Sequence, residues 1–149
     1  MKSLDFSRLS DFIDKKWNES VLPSLCEFIE IPALSPSFDS DWEENGFLDA
    51  AIETFISWVK SLPLERTSVS VHRLSGRSPV LLVSIDGDAE GEILFYSHLD
   101  KQPEATGWSE GKGPWKPVIE ESWLYGLSLI HISEPTRRTP ISYAVFCLK

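Results

Sequence analysis

Cysteine is nearly absent. Of 149 residues only Cys26 and Cys147 carry a thiol, too few for a disulfide framework, so a reducing compartment, the cytoplasm, is the expected location. Basic clusters are missing as well. The formal net charge is −9, and no run gathers the Lys and Arg that phosphate binding needs, so no nucleic-acid partner is expected. No stretch approaches the ~20 apolar residues that span a bilayer, so no membrane partner is expected either. The opening, MKSLDFSRLSDFIDKKW, is punctuated by charge and has no apolar core of a secretory leader. No internal repeat is visible. The acidity favours solubility and names no substrate.

What is present is a globular profile: 42% hydrophobic residues, 25% charged, six Trp and eight Phe, enough aromatic surface to offset the ordering entropy of one ordinary domain. From Asp5 to Ile31 apolar residues recur near a 3.6-residue period, at Leu9, Phe12, Ile13 and Trp17 and again at Leu22, Leu25, Cys26 and Ile29. Pro23 suits the first turn of a second helix, and Pro32 ends it. Cys26 reads as a small core hydrophobe on that helix, not a nucleophile. Residues 33–41 read as loop. A further helix is expected from Trp42 to Leu62, with Asp41 and Glu44 in capping-box spacing and Pro63 as the stop.

The period then changes to two. Ser68 to Leu74 alternates, as a half-exposed edge strand does, with Val69 and Val71 opposite Ser70 and His72. Val80–Ile85 and Ile93–Ser97 are continuous apolar runs, expected as strands buried on both faces. Lys101 to Pro117, with three Pro, three Gly and two Trp, reads as a long ordered loop, usually a functional feature. A short strand pair follows around Val118-Ile119 and Trp123–Tyr125. Helices flanking buried strands point to an α/β layered domain.

The chemistry-bearing residues are His98 and Asp100, two apart after an apolar run. Period-two geometry at a strand end would set both side chains on one side, where the carboxylate accepts one imidazole N–H and leaves the other nitrogen for a metal. The spacing alone is a weak signal, and a strand-end histidine bonded to a neighbouring carboxylate is the bland reading. His72, on the polar face of its strand with no partner pattern, carries only the bland reading. Trp108, Trp115 and Trp123 read as loop anchors rather than stacking platforms.

The run ILFYSHLDKQP, then Thr106-Gly107-Trp108, Gly113-Pro114-Trp115 and Leu124-Tyr125-Gly126, with the earlier segment IEIPALSP from Ile29 to Pro36, resembles one family. It is that of the zinc-dependent carnosinase-like dipeptidases, aminoacylases, acetylornithine deacetylases and succinyl-diaminopimelate desuccinylases, with the dipeptidase branch most similar. The resemblance runs from about Leu4 to Gly126. It implies the N-terminal part of an α/β/α layered catalytic domain, phosphorylase/hydrolase-like, with N-terminal helices and a mostly parallel, incomplete sheet. It also implies that His98 is a ligand of the first of two zinc ions (cobalt or manganese being possible alternatives), and that Asp100 orients it. The substrate class would be a small peptide or an N-acyl amino acid, and the whole protein a homodimer through a further domain.

Past Gly126 the family pattern would continue with Arg-Gly, a metal-bridging aspartate, a Glu-Glu pair and a distal histidine, none of which follows in this sequence. One histidine cannot hold zinc, which takes about four ligands, so the chain itself is expected to be inactive. A non-catalytic binding module that kept the sheet and lost the metal site is the alternative.

Residues 127–149, LSLIHISEPTRRTPISYAVFCLK, read as a separate, non-native tail. Leu127 to Arg137 back-translates into what looks like a transposase library adapter, and Ile141 to Lys149 into what looks like a flow-cell adapter. Arg138, Thr139 and Pro140 between them fill the space of a sample barcode. The expected division is therefore 1–126 as the domain and 127–149 as adapter read-through, left out of fold reasoning. That sets aside His131 as a ligand and Cys147 as a disulfide partner. The tail carries a net charge of +2, which leaves −11 on residues 1–126.

Overall fold

The computed structural model of the chain describes residues 5–121 and 123–126; His131, Cys147 and the adapter-like segment lie outside the described residues. The fold is a mixture of helices and small sheets. Helix α1 (Phe6–Lys16) is capped by Asp5, whose carboxylate accepts from the Arg8 N–H at 3.2 Å. It passes through a π turn (Trp17–Val21) into helix α2 (Leu22–Glu30). Pro23 falls in the first turn of the second helix, as expected, and the π turn keeps the chain helical between α1 and α2. In an α-helix the Pro23 ring would clash with the carbonyl four residues back. The wider turn, in which the Leu22 N–H reaches Trp17 O, relieves that clash without a break.

The expected helix from Trp42 to Leu62 is two. A single turn, α3 (Trp42–Asn45), ends at Gly46, and α4 (Phe47–Ser61) begins after it. Gly46 sits at φ 69°, the left-handed region that a Cβ disfavours. Asp41 makes no side-chain cap, contrary to the capping-box expectation. Asp39 serves instead, accepting from the Asp41 N–H at 3.0 Å and from the Asn45 amide, while the Asn45 Oδ1 accepts from the Phe47 N–H at 3.1 Å. Helix α4 ends before Pro63 as expected.

Strands β1 (Thr67–Leu74) and β2 (Arg77–Ile85) pair antiparallel, with Val69 opposite Val83 and Val71 opposite Leu81. Strands β3 (Val118–Glu120) and β4 (Trp123–Tyr125) form a second, smaller antiparallel pair. Among the described residues both ladders are antiparallel, so the mostly parallel sheet expected from the apolar runs is not among them. β1 alternates as expected. β2 was expected to be buried on both faces and alternates too: Leu81 and Val83 are half-buried, whereas Val80 and Leu82 are exposed. Ile93–Ser97 forms no strand, and Ile93, Leu94, Phe95 and Tyr96 are 71–90% exposed. A run of this composition is held in a sheet by neighbours and cover on both faces, and no described strand pairs with it.

The core is correspondingly small. Ile29 of α2, Ala33 just after it, and Leu48, Ala51, Ile52, Ile56 and Val59 of α4 are the buried apolar residues. Phe28, Ile31 and Trp42 close over the Ala33, Leu48 and Ala51 cluster. Helix α4 touches α2 on one side and β2 on the other, and Trp58 Nε1 donates to Ser20 Oγ at 3.0 Å, tying α4 to the π turn. Helix α1 buries none of its residues. No described helix is long and apolar enough to cross a membrane.

Candidate functional site

The end of α2 organises the site. After Glu30 the chain turns through Ile31 and Pro32, and the residues that follow run beside Lys101 in a parallel bridge at Leu34. Lys101 N–H donates to Ala33 O at 2.8 Å, and Ser35 N–H donates to Lys101 O at 2.9 Å. The segments IEIPALSP and HLDKQP, some seventy residues apart in the chain, are thus brought into contact.

His98 and Asp100 meet as expected, though by a different route. Residues 98–100 form no strand, so the pleat is not what aligns them. Instead the loop folds so that His98 Nδ1 lies 2.8 Å from the Asp100 carbonyl oxygen and 3.1 Å from Asp100 Oδ1. A carbonyl and a carboxylate can only accept, so Nδ1 carries a proton, and in the neutral imidazole the lone pair falls on Nε2. The side chains are 40% and 32% exposed, and among the described residues no hydrogen bond is made to Nε2. His72 has the bland role foreseen for it: its Nε2 sits 3.1 Å from Ser70 Oγ on the outer face of β1.

The residue that the sequence did not single out is Lys101. It is the one buried charged side chain among the described residues, at 6% exposure. Its Nζ donates to Phe28 O and Ile31 O, each at 2.5 Å, and lies 3.4 Å from Ile29 O. It also stands 4.1 Å from the Phe28 ring centre and 5.3 Å from that of Trp115. These carbonyls lie at the end of α2, where the helix carries partial negative charge; Phe28 O also accepts from the Ile31 N–H at 3.3 Å and Ile31 O from the Ala33 N–H at 2.9 Å. Burial pulls the Lys101 pKa down from 10.5 to about 7; the carbonyls and the ring faces act the other way, favouring the ammonium.

The loop from Lys101 to Pro117 is ordered by its aromatics, in the anchoring role expected of them. Trp108 Nε1 donates to Ala105 O at 2.8 Å and Trp115 Nε1 to Glu104 Oε1 at 2.6 Å. Lys112 joins the loop to the β3–β4 pair, donating to Glu120 Oε2 at 2.5 Å with its Nζ 3.3 Å from the Tyr125 ring centre. Gly126 then packs on α2: a Cβ there would lie 2.7 Å from Ile29 Cγ2. Cys26 is half-buried, and burial, then the charges of Glu30 and Glu27, push its thiol pKa up, which suits an inert core thiol and not a nucleophile.

Zinc needs more donors than this site assembles. No group of three or more His, Cys, Asp or Glu side chains is placed to hold a metal among the described residues. His98 and Asp100 supply one ligand and its orienting partner, and do not by themselves fit a dinuclear centre. The hollow of about 240 Å³ beside the Asp49–Arg73 ion pair is lined by neither of them. No protein-family model and no curated protein matches the chain.

Proposed function

We propose that residues 1–126 are the N-terminal part of the catalytic domain of a dinuclear-zinc peptidase or amidohydrolase of the dipeptidase type. Its substrate would be a small peptide or an N-acyl amino acid, its compartment the cytoplasm, and its assembly a homodimer through a further domain. In this reading the complete domain is an α/β/α layer structure in which Ile93–Ser97 becomes an inner strand of a mostly parallel sheet. The observation that carries the proposal is the His98–Asp100 pair, with Nδ1 bonded to Asp100 and Nε2 open. That is the arrangement by which a carboxylate fixes a ligating imidazole. The exposed apolar run directly before it supports the reading, since 71–90% exposure from Ile93 to Tyr96 suits a strand whose neighbours are supplied by further sequence.

The chain contributes one ligand and its orienter, and no step of hydrolysis follows from these alone. Purified chain supplied with zinc is expected to hydrolyse neither dipeptides nor N-acyl amino acids. Turnover that His98→Ala abolishes would overturn that expectation. The decisive test is the source DNA, re-read across the Gly126 codon after amplification without library adapters. Continuation into Arg-Gly and then an aspartate supports the hydrolase. If the adapter-like codons are genomic, the catalytic reading falls and the non-catalytic binding module takes its place.

A further inference from the structure

We propose that Lys101 is the positioning residue of the His98–Asp100 pair, acting through the peptide bond that joins Asp100 to Lys101. His98 Nδ1 has two acceptors, and the nearer, at 2.8 Å, is the carbonyl oxygen of Asp100. That carbonyl shares a peptide plane with the Lys101 N–H, and because the plane is rigid, fixing the N–H fixes where the carbonyl points. The N–H is fixed: it donates to Ala33 O at 2.8 Å, and Lys101 O in turn receives the Ser35 N–H at 2.9 Å.

Residues 98–100 belong to no strand, so these two bonds and the bridge to Leu34 are the main-chain hold on the loop. The side chain supplies the rest. Lys101 Nζ is buried against Phe28 O, Ile29 O and Ile31 O at the end of α2, with the Phe28 and Trp115 rings on its flanks. Residue 101 is thereby held both to the chain that follows α2 and to α2 itself. The amino group faces no carboxylate among the described residues, so its bonds are spent on main-chain position and not on pairing charge. Lys101 thus determines which imidazole nitrogen is left for a metal, a role that rests on the ligand reading of His98, although the pin itself does not.

The test reads the His98 tautomer by long-range proton–nitrogen NMR on histidine-labelled full chain without metal, at alkaline pH, with His98→Gln assigning the signal. The intact chain is expected to hold the Nδ1–H form. In Lys101→Met the ratio of Nδ1–H to Nε2–H should fall about fivefold, the worth of one neutral hydrogen bond. Arg66→Gln, which breaks an exposed ion pair with Asp88 and touches neither α2 nor Lys101, should leave the ratio unchanged. If Lys101→Met does not fold, Lys101→Cys in a Cys26→Ser, Cys147→Ser background is alkylated with an aminoethyl or an ethyl group. The aminoethyl form should restore the Nδ1–H tautomer and the ethyl form should not. Equal tautomer ratios with and without the amino group overturn the proposal. Because no metal or substrate is present, this outcome is separate from that of the hydrolysis assay.

Discussion

Gly126→Ala tests whether the β3–β4 pair is seated on α2 or merely lies near it. A Cβ at residue 126 would meet Ile29 Cγ2 at 2.7 Å and Cδ1 at 3.2 Å, whereas carbon atoms in contact sit about 3.5–4.0 Å apart. Either the hairpin end or Ile29 must retreat by roughly 1 Å to restore that contact distance. Ile29 has little room to do so at 2% exposure. Overpacking of this kind costs about 2 kcal/mol, which native-state hydrogen exchange reads as a roughly thirtyfold loss of protection, taking ~1.4 kcal/mol per factor of ten. The amides to follow are those of residues 26–30. The control is Ile29→Ala, which removes all three contacting atoms at its own cost of about 2–5 kcal/mol. On that background the contact part of the cost should vanish, a coupling of about 1 kcal/mol, leaving only the backbone cost of an L residue at φ 157°. Equal costs on both backgrounds would show that Gly126 does not abut Ile29 and that the reasoning is wrong.

Two further outcomes are expected. Lys101 has a folded-state pKa pulled by burial from 10.5 to about 7, so between those values the unfolded chain binds a proton that the folded chain has released. Stability from this group is therefore flat below about pH 7 and rises above it, by less than ~1.4 kcal/mol per pH unit because the α2 carbonyls favour the ammonium. Denaturation midpoints of the chain and of Lys101→Met at about pH 6.5, 8 and 9.5 check this, and a constant difference between the two would refute it. The exposed Ile93–Tyr96 run should make the chain self-associate with rising concentration. Phe95→Lys should lower the light scattering severalfold and leave α4 exchange protection intact, and unchanged scattering would clear the run of blame.

The helices were legible because each is set by local chemistry. The apolar stripe of α4 needs only a 3.6-residue period, and its end needs only Pro63. Where the reading failed, a second residue or a distant element decided the outcome. Trp42 to Leu62 was expected as one helix, and Gly46 divides it. At φ 69° it acts as a joint, with Asp39 and Asn45 supplying the caps. Ile93–Ser97 shows the deeper difficulty. Apolar continuity states what surroundings a segment would need, and whether a neighbouring strand meets that need is a property of other residues.

The site divides along the same line. His98 and Asp100 are two residues apart, so nearly any compact turn lets them touch; the strand pleat invoked for them is absent, and the contact forms through a loop at 2.8 and 3.1 Å. The bond partner of His98 was therefore legible without the correct secondary structure. Lys101 was not, because the carbonyls of Phe28, Ile29 and Ile31 lie 70–73 residues away in the chain. One local signal did exist. A lysine placed between an H-x-D and a Gln-Pro, in a chain whose other described charges are solvated, must either reach solvent or find acceptors. The only acceptors that a helix leaves open in number are its last carbonyls, and IEIPALSP is where such a helix ends. The two segments that carry the family resemblance are thus complementary in hydrogen-bond terms, one ending in helix-terminal carbonyls that accept a second donor and the other offering a donor that burial would otherwise leave bare.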